Sequence, residues 1–222
     1  MASYIPRISF LIAYLAATAV HLYGCMKKDQ KIRNYTKPLL MPLLAGFYIF
    51  GATAIDPLVL ALIFTSWLGD VLLMVHGMKW LTMGGFSFLA THILLIILYT
   101  RNISWSLQCL TVMLLYLIMG FGIIRSEYVC LKRYLPKPNL AMILSYLSCN
   151  VLMNLFAALQ VVSYLNKGSG LILLGSLLFL ASDSILFLVR FDKRMPFYGQ
   201  HFNVMLTYSL AKLLVVLGFI FA

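Results

Sequence analysis

The sequence predicts an all-α fold, a single bundle of about eight transmembrane helices, and three observations carry that reading. Of 222 residues, 63% are hydrophobic and only 10% are charged, with a mean hydropathy of +0.96; this is the composition of a polytopic membrane protein. Apolar runs extend through the chain and far exceed the ~10 residues of a membrane-spanning strand. Hydrocarbon offers no partner to a backbone N–H or C=O, so such runs satisfy themselves as helices. The charges gather between the runs, and no hydrophilic stretch is long enough for a separate soluble domain. Residues 1–222 therefore read as one transmembrane domain.

The spans, in order, are Ile8 to Gly24, Pro38 to Ala54, Pro57 to Val75, Trp80 to Tyr99, Ile103 to Ile124, Leu140 to Ser163, Gly170 to Val189 and His201 to Phe221. Each approaches or exceeds the ~20 residues that cross the hydrocarbon core. The first has a signal-peptide look, with Arg7 ahead of it and Ala17-Thr18-Ala19 as a cleavage-like triplet. A basic loop follows it rather than a mature domain, so it is read as a helix of the bundle. Trp67, Trp80, Trp105 and the tyrosines read mainly as packing or interfacial-belt residues.

A net charge of +11 would point to nucleic acid in a soluble protein, but here the cations sit in loops, where they act as topology signals and lipid-headgroup contacts. Loops one to two (Lys27, Lys28, Lys31, Arg33, Lys37), three to four (Lys79), five to six (Arg125, Lys132, Arg133, Lys137) and seven to eight (Arg190, Lys193, Arg194) hold thirteen of them, against three on the other side, Arg7, Arg101 and Lys167. The positive-inside rule puts the rich side in the cytoplasm and both termini in the lumen or exterior. Cys25, Cys109, Cys130 and Cys149 show no metal-ligand spacing, and a disulfide framework is not expected.

Two carboxylates interrupt the apolar runs: Asp70 in Ser66-Trp67-Leu68-Gly69-Asp70-Val71-Leu72-Leu73-Met74, and Asp183 in Leu180-Ala181-Ser182-Asp183-Ser184-Ile185-Leu186. A charge at such depth costs at least ~2.5 kcal/mol, so these groups are expected to face inward, paired and functional. Spans three and seven run in the same direction, and both aspartates fall ~10 Å below the cytoplasmic surface at 1.5 Å rise per residue. They are expected to face a common cavity. His92, Asn150, Asn154, Tyr208 and Lys212 enter from the same end, while the far half is almost wholly apolar. A polar chamber with a greasy floor suits an amphiphile whose head stays near the surface and whose chain is buried beneath it.

Several separated motifs share an order and spacing over residues 36 to 215: Thr36-Lys37-Pro38 with Pro42; Gly69-Asp70 with Leu72 and Met74; Gly85-Phe86 through Phe88 and Ala90 to Thr91-His92; Gly175 and Phe179 to Ser182-Asp183; Arg190-Phe191 and Pro196; and Met205 through Thr207-Tyr208 to Ala211. In these the chain resembles the YhhN-like family of integral membrane proteins, whose characterised members are lysoplasmalogenases. The resemblance implies an eight-helix bundle in the endoplasmic reticulum membrane. It also implies hydrolysis of the vinyl ether bond of lysoplasmalogens to a fatty aldehyde and glycerophosphoethanolamine or glycerophosphocholine, with Asp70 and Asp183 as the family's membrane aspartates. Leu95 stands where the family usually has a tyrosine, and Ser209 and Lys212 follow Tyr208 where a glutamine is usual.

The residues suit that chemistry. A vinyl ether is acid-labile because protonation of its β-carbon gives an oxocarbenium ion that water captures. Two close carboxylates resist double ionisation, so one can hold a proton as general acid while the other, ionised, stabilises the cation and orients water. The ammonium of Lys212 would select the ionised member. Lys37 is placed for a headgroup phosphate, and His92 and Tyr208 for substrate or for an aspartate; Asn154 is a supporting hydrogen-bonder. No cofactor or metal is expected: the four histidines, His21, His76, His92 and His201, lack paired helical spacing, and there is no GxSxG. The expected partner is a lysophospholipid substrate, not nucleic acid. The alternative is a non-enzymatic lipid-binding protein or a proton-coupled transporter using the aspartates as a relay.

Overall fold

The computed structural model describes residues 4–101, 103–192 and 200–221. These residues form eight helices and no strand: α1 (Tyr4–Met26), α2 (Gln30–Gly51), α3 (Pro57–Met74), α4 (Met78–Thr100), α5 (Leu107–Leu131), α6 (Lys137–Ser163), α7 (Lys167–Phe191) and α8 (Gln200–Phe221). Seven of them, all but α2, are long and apolar enough to cross a membrane. Helix α2 differs because it begins two turns before the expected Pro38 and takes Lys31, Arg33 and Lys37 into its first half.

Local chemistry sets the helix starts. The Asp29 carboxylate accepts from the Lys31 and Ile32 backbone N–H groups, which begins α2 at Gln30. Asp56 caps α3 in the same way through Leu58 N–H, with Pro57 in the first turn. Asn166 and Ser169 exchange side-chain and backbone bonds in a capping box at the head of α7. Helix α5 also departs from expectation: it starts at Leu107 rather than Ile103 and runs past Ile124 to Leu131, carrying Arg125, Ser126 and Glu127 with it. Glu127 is buried there, an intramembrane acid that the sequence reading had counted as loop. Lys193, Arg194 and Pro196 lie outside the described residues.

Helix α2 contains two prolines, Pro38 and Pro42. Each lacks an N–H and so frees the carbonyl four residues earlier. The carbonyl freed by Pro42 belongs to Pro38, and the indole Nε1–H of Trp67 on α3 donates to it at 3.0 Å. The gap in one helix thus becomes a tie to the next.

Packing runs in a ring, α1 on α2, α2 on α3, α3 on α4, α4 on α6, α6 on α7, α7 on α8 and α8 on α1, with α5 outside against α6 and α7. Helices α3 and α7 are not neighbours in this ring; they face one another across its interior. The α7–α8 seam is the closest. A Cβ on Gly175 would lie 2.9 Å from both the Ala211 carbonyl oxygen and the Val215 nitrogen, so the backbones meet at that point as small residues allow in membrane helices. The expected helix α1 packs on α2 and α8, and Tyr14 donates to the Ser209 carbonyl at 2.8 Å.

The ends of α1, α3 and α7 and the starts of α2 and α8 meet at one end of the bundle, where Arg33, Lys37, Arg190 and His201 surround a chamber. We call this the basic end. At the other end an ion pair joins Arg101, after α4, to the α3 cap Asp56, and Ser163 donates to the Ser104 carbonyl at 3.1 Å.

Candidate active site

Asp70 sits one turn after Ser66 on the inner face of α3, 2% exposed. Its Oδ1 lies 3.3 Å from the Nζ of Lys37 on α2, and its Oδ2 accepts from the hydroxyl of Tyr208 on α8 at 2.7 Å. A phenol hydroxyl and an ammonium are partners that a carboxylate accepts from and pairs with. Trp67 and Asp70, one turn apart on α3, therefore both grip α2, at Pro38 and Lys37 respectively.

Asp183, 6% exposed on α7, is held differently. Its Oδ2 accepts from the Tyr146 hydroxyl and from Asn150 Nδ2, each at 2.7 Å and both on α6; neither bond reaches Oδ1. Asn150 is oriented in turn by Asn154, whose Nδ2 donates to the Asn150 carbonyl at 3.0 Å and to its Oδ1 at 3.1 Å. Asn154 thus acts one step back from the aspartate. The partners of Asp183 are neutral donors where Asp70 has a cation.

His92 is fully buried on α4, and its Nε2 lies 3.7 Å from Asp183 Oδ2. That separation is too long for a hydrogen bond, and neither ring nitrogen has a partner. The ring instead packs between Tyr146 and Phe179, with centroids 5.0 and 4.9 Å away. His92 shapes the wall behind Asp183.

Lys212, 2% exposed, meets neither aspartate within ion-pair distance. Its Nζ donates to Ser66 Oγ at 2.9 Å and lies 3.8 Å from the Phe179 ring centroid, with Tyr208 and Phe88 at 5.4 and 5.8 Å. Aromatic faces replace the carboxylate the sequence reading had offered it. The lysine in contact with an aspartate is Lys37 on α2, not Lys212 on α8.

Both aspartates, Lys37 and Tyr208 line one chamber of about 380 Å³ that opens at the basic end between Arg33, Arg190 and His201. This volume is typical of a small-molecule site, ~300–1,000 Å³. Aspartates and chamber are brought together as expected, though across the ring rather than between adjacent helices. In the far half, where a greasy floor is expected, Leu95, Tyr99, Ala157 and Ile172 are fully buried, and Tyr99 is tied to Ser176 at 3.0 Å. Apolar space lies to the side instead, in a second cavity of about 260 Å³ between α4, α6 and α7.

Sequence reasoning missed Tyr146, which it took for packing, and the mouth residues Arg33, Arg190 and His201 as a group. Tyr146 had a signal: Tyr146, Asn150 and Asn154 recur at i, i+4 and i+8, one polar stripe along α6. The four cysteines are free. Among the described residues no three His, Cys, Asp or Glu side chains come together as a metal-ligating group.

A helical membrane bundle with two buried carboxylates in a chamber open at its basic end defines the class: a multi-pass integral membrane protein with a polar chamber inside its helices. The YhhN family model matches residues 32–219, and the chain belongs to the YhhN family. No curated protein and no solved structure matches the chain.

Proposed function

We propose that the protein is a lysoplasmalogenase, hydrolysing the vinyl ether of lysoplasmenylethanolamine or lysoplasmenylcholine to a fatty aldehyde and the glycerophosphodiester, in the endoplasmic reticulum membrane with its basic end in the cytoplasm and both termini lumenal. One observation carries the reading: the two aspartates of a YhhN chain share a chamber yet have unlike partners, Lys37 for Asp70 and neutral donors for Asp183.

The unlike partners give each carboxyl group a role. Asp183 receives its hydrogen bonds on Oδ2, which leaves Oδ1 to carry a proton. That proton passes to the β-carbon of the vinyl ether, and the double-bond electrons form the new C–H bond. The ether oxygen shares the positive charge left on the adjacent carbon. Asp70, held ionised by Lys37 and Tyr208, stabilises this oxocarbenium ion and orients a water toward it. Water adds to the cationic carbon and returns a proton to Asp183. The hemiacetal then collapses: its C–O bond to glycerol breaks, the hydroxyl proton leaves and the glycerol oxygen gains one, giving aldehyde and alcohol. Arg33, Arg190 and His201 at the mouth suit the phosphodiester.

The test is purified protein with lysoplasmenylethanolamine, measuring aldehyde and glycerophosphoethanolamine in equal amounts. Asp70→Asn and Asp183→Asn are each expected to lower turnover by about 100-fold or more, the usual scale of general acid–base catalysis. The saturated 1-alkyl analogue, lacking a double bond to protonate, is expected to survive. Wild-type turnover in both variants would reject the mechanism.

A further inference from the structure

The two cavities share four lining residues, Leu73, Phe88, Asp183 and Leu186. Asp183 is the polar member of this set, and Asp70 lines the basic-end chamber without lining the second cavity. A molecule that is polar at one end and apolar at the other would therefore change character beside Asp183. The second cavity is walled mainly by apolar side chains of α4, α6 and α7, among them Leu81, Leu89, Met142 and Phe187. Its outer rim reaches the surface of the bundle: Phe86 is 61% exposed and Ser145 is also exposed. Each rim position is the ninth residue of its helix, in the third turn of α4 or α6 counted from the end on the basic side.

We propose that the second cavity is a lateral groove for the hydrocarbon chain of a single-chain lipid, opening between α4 and α6 into the leaflet at the basic end. The headgroup occupies the chamber, the chain turns aside at Asp183, and the bond joining the two lies at that carboxyl group. Substrate then enters and aldehyde leaves by sliding sideways within one leaflet. The groove rests on the geometry of the cavities; the naming of the lipid as a lysoplasmalogen rests on the hydrolysis proposed above.

Two measurements test it. The first uses the full-length protein in phospholipid nanodiscs with a saturated 1-alkyl lysophosphatidylethanolamine carrying a diazirine in the first half of its chain, irradiated and mapped by peptide mass spectrometry. Labelling is expected in Leu81–Leu89 on α4, Met142–Tyr146 on α6 and Asp183–Phe187 on α7, the residues of the groove. Labelling confined to α1, α2 and α8 would overturn the proposal. This readout needs no turnover, so labelling of the groove without aldehyde release would remove the hydrolysis and keep the groove.

The second uses Gly85→Trp. Gly85 lines the groove and a Cβ there meets nothing within 4 Å, so a side chain at this position starts in open space and takes up groove volume. The ratio of kcat/KM for a short-chain over a long-chain vinyl ether lysolipid is expected to rise at least tenfold, as lost burial of a few methylenes predicts. Gly122→Trp on α5, also in open space, is expected to leave the ratio unchanged. Aldehyde release with an unaltered ratio in Gly85→Trp would remove the groove and keep the hydrolysis.

Discussion

Tyr208 on α8 donates its hydroxyl hydrogen to Asp70 on α3 at 2.7 Å, across 138 positions of sequence. Tyr146 makes the equivalent bond to Asp183 at 2.7 Å. Each of the two buried carboxyl groups is thus aimed by a phenol from another helix. Tyr208→Phe and Tyr146→Phe are each expected to lower kcat about 10-fold or more, the scale of a hydrogen bond of ~1.5–3 kcal/mol to a charged group, with KM little changed. Steady-state kinetics on the two variants check this, and a loss confined to KM would place the phenols in substrate binding.

Lys37 and Asp70 form a nearly buried ion pair, with side chains 17% and 3% exposed. Removing one member leaves an uncompensated charge, which costs ~3–5 kcal/mol in a fully buried pair and less here, where the lysine is partly wetted. Lys37→Met is expected to lower both thermal stability and turnover. Lys37→Met combined with Asp70→Asn is expected to recover stability but not turnover. A double-mutant cycle on melting in detergent measures the coupling.

Lys212 is held by Ser66 and three aromatic rings rather than by a carboxylate. Methionine has nearly the same length and favours aromatic neighbours. Lys212→Met is accordingly expected to keep turnover within about an order of magnitude of wild type, an aspartate variant losing far more. A loss as deep as that of Asp183→Asn would show that its charge acts on the chemistry.

Gly175 sets the spacing of α7 and α8, which carry Asp183 and Tyr208. Gly175→Ala forces a methyl against the Ala211 carbonyl, an overpacking of ~1–3 kcal/mol. The melting temperature is expected to fall. Turnover should fall with it even below the melting transition, because parting α7 from α8 displaces Asp183 from Tyr146 or Tyr208 from Asp70.

Much of this was legible in the sequence. The apolar runs gave the eight helices, and the depth of Asp70 and Asp183 gave their shared chamber, because rise per residue and the cost of a buried charge are local properties. Partner choice was not legible. Lys212 lies in the right span at the right depth, yet helix rotation turns it toward Phe179, and only the three-dimensional ring of helices shows Lys37 to be nearer. The start of α2 was misplaced because Pro38 reads as a helix boundary, whereas Asp29 caps the helix two turns earlier. The direction of apolar space was likewise hidden, since whether Leu95 and Ala157 fill a floor or line a channel depends on packing between helices distant in sequence.

The ties at Trp67 and Asp70 have a mechanical consequence. The indole bond to Pro38 and the carboxylate contact with Lys37 clasp adjacent residues of α2 from two successive turns of α3. The backbone that carries Lys37 is therefore pinned beside Asp70 at the adjacent Pro38, and the difference in partners between the two aspartates follows from the way α2 docks on α3.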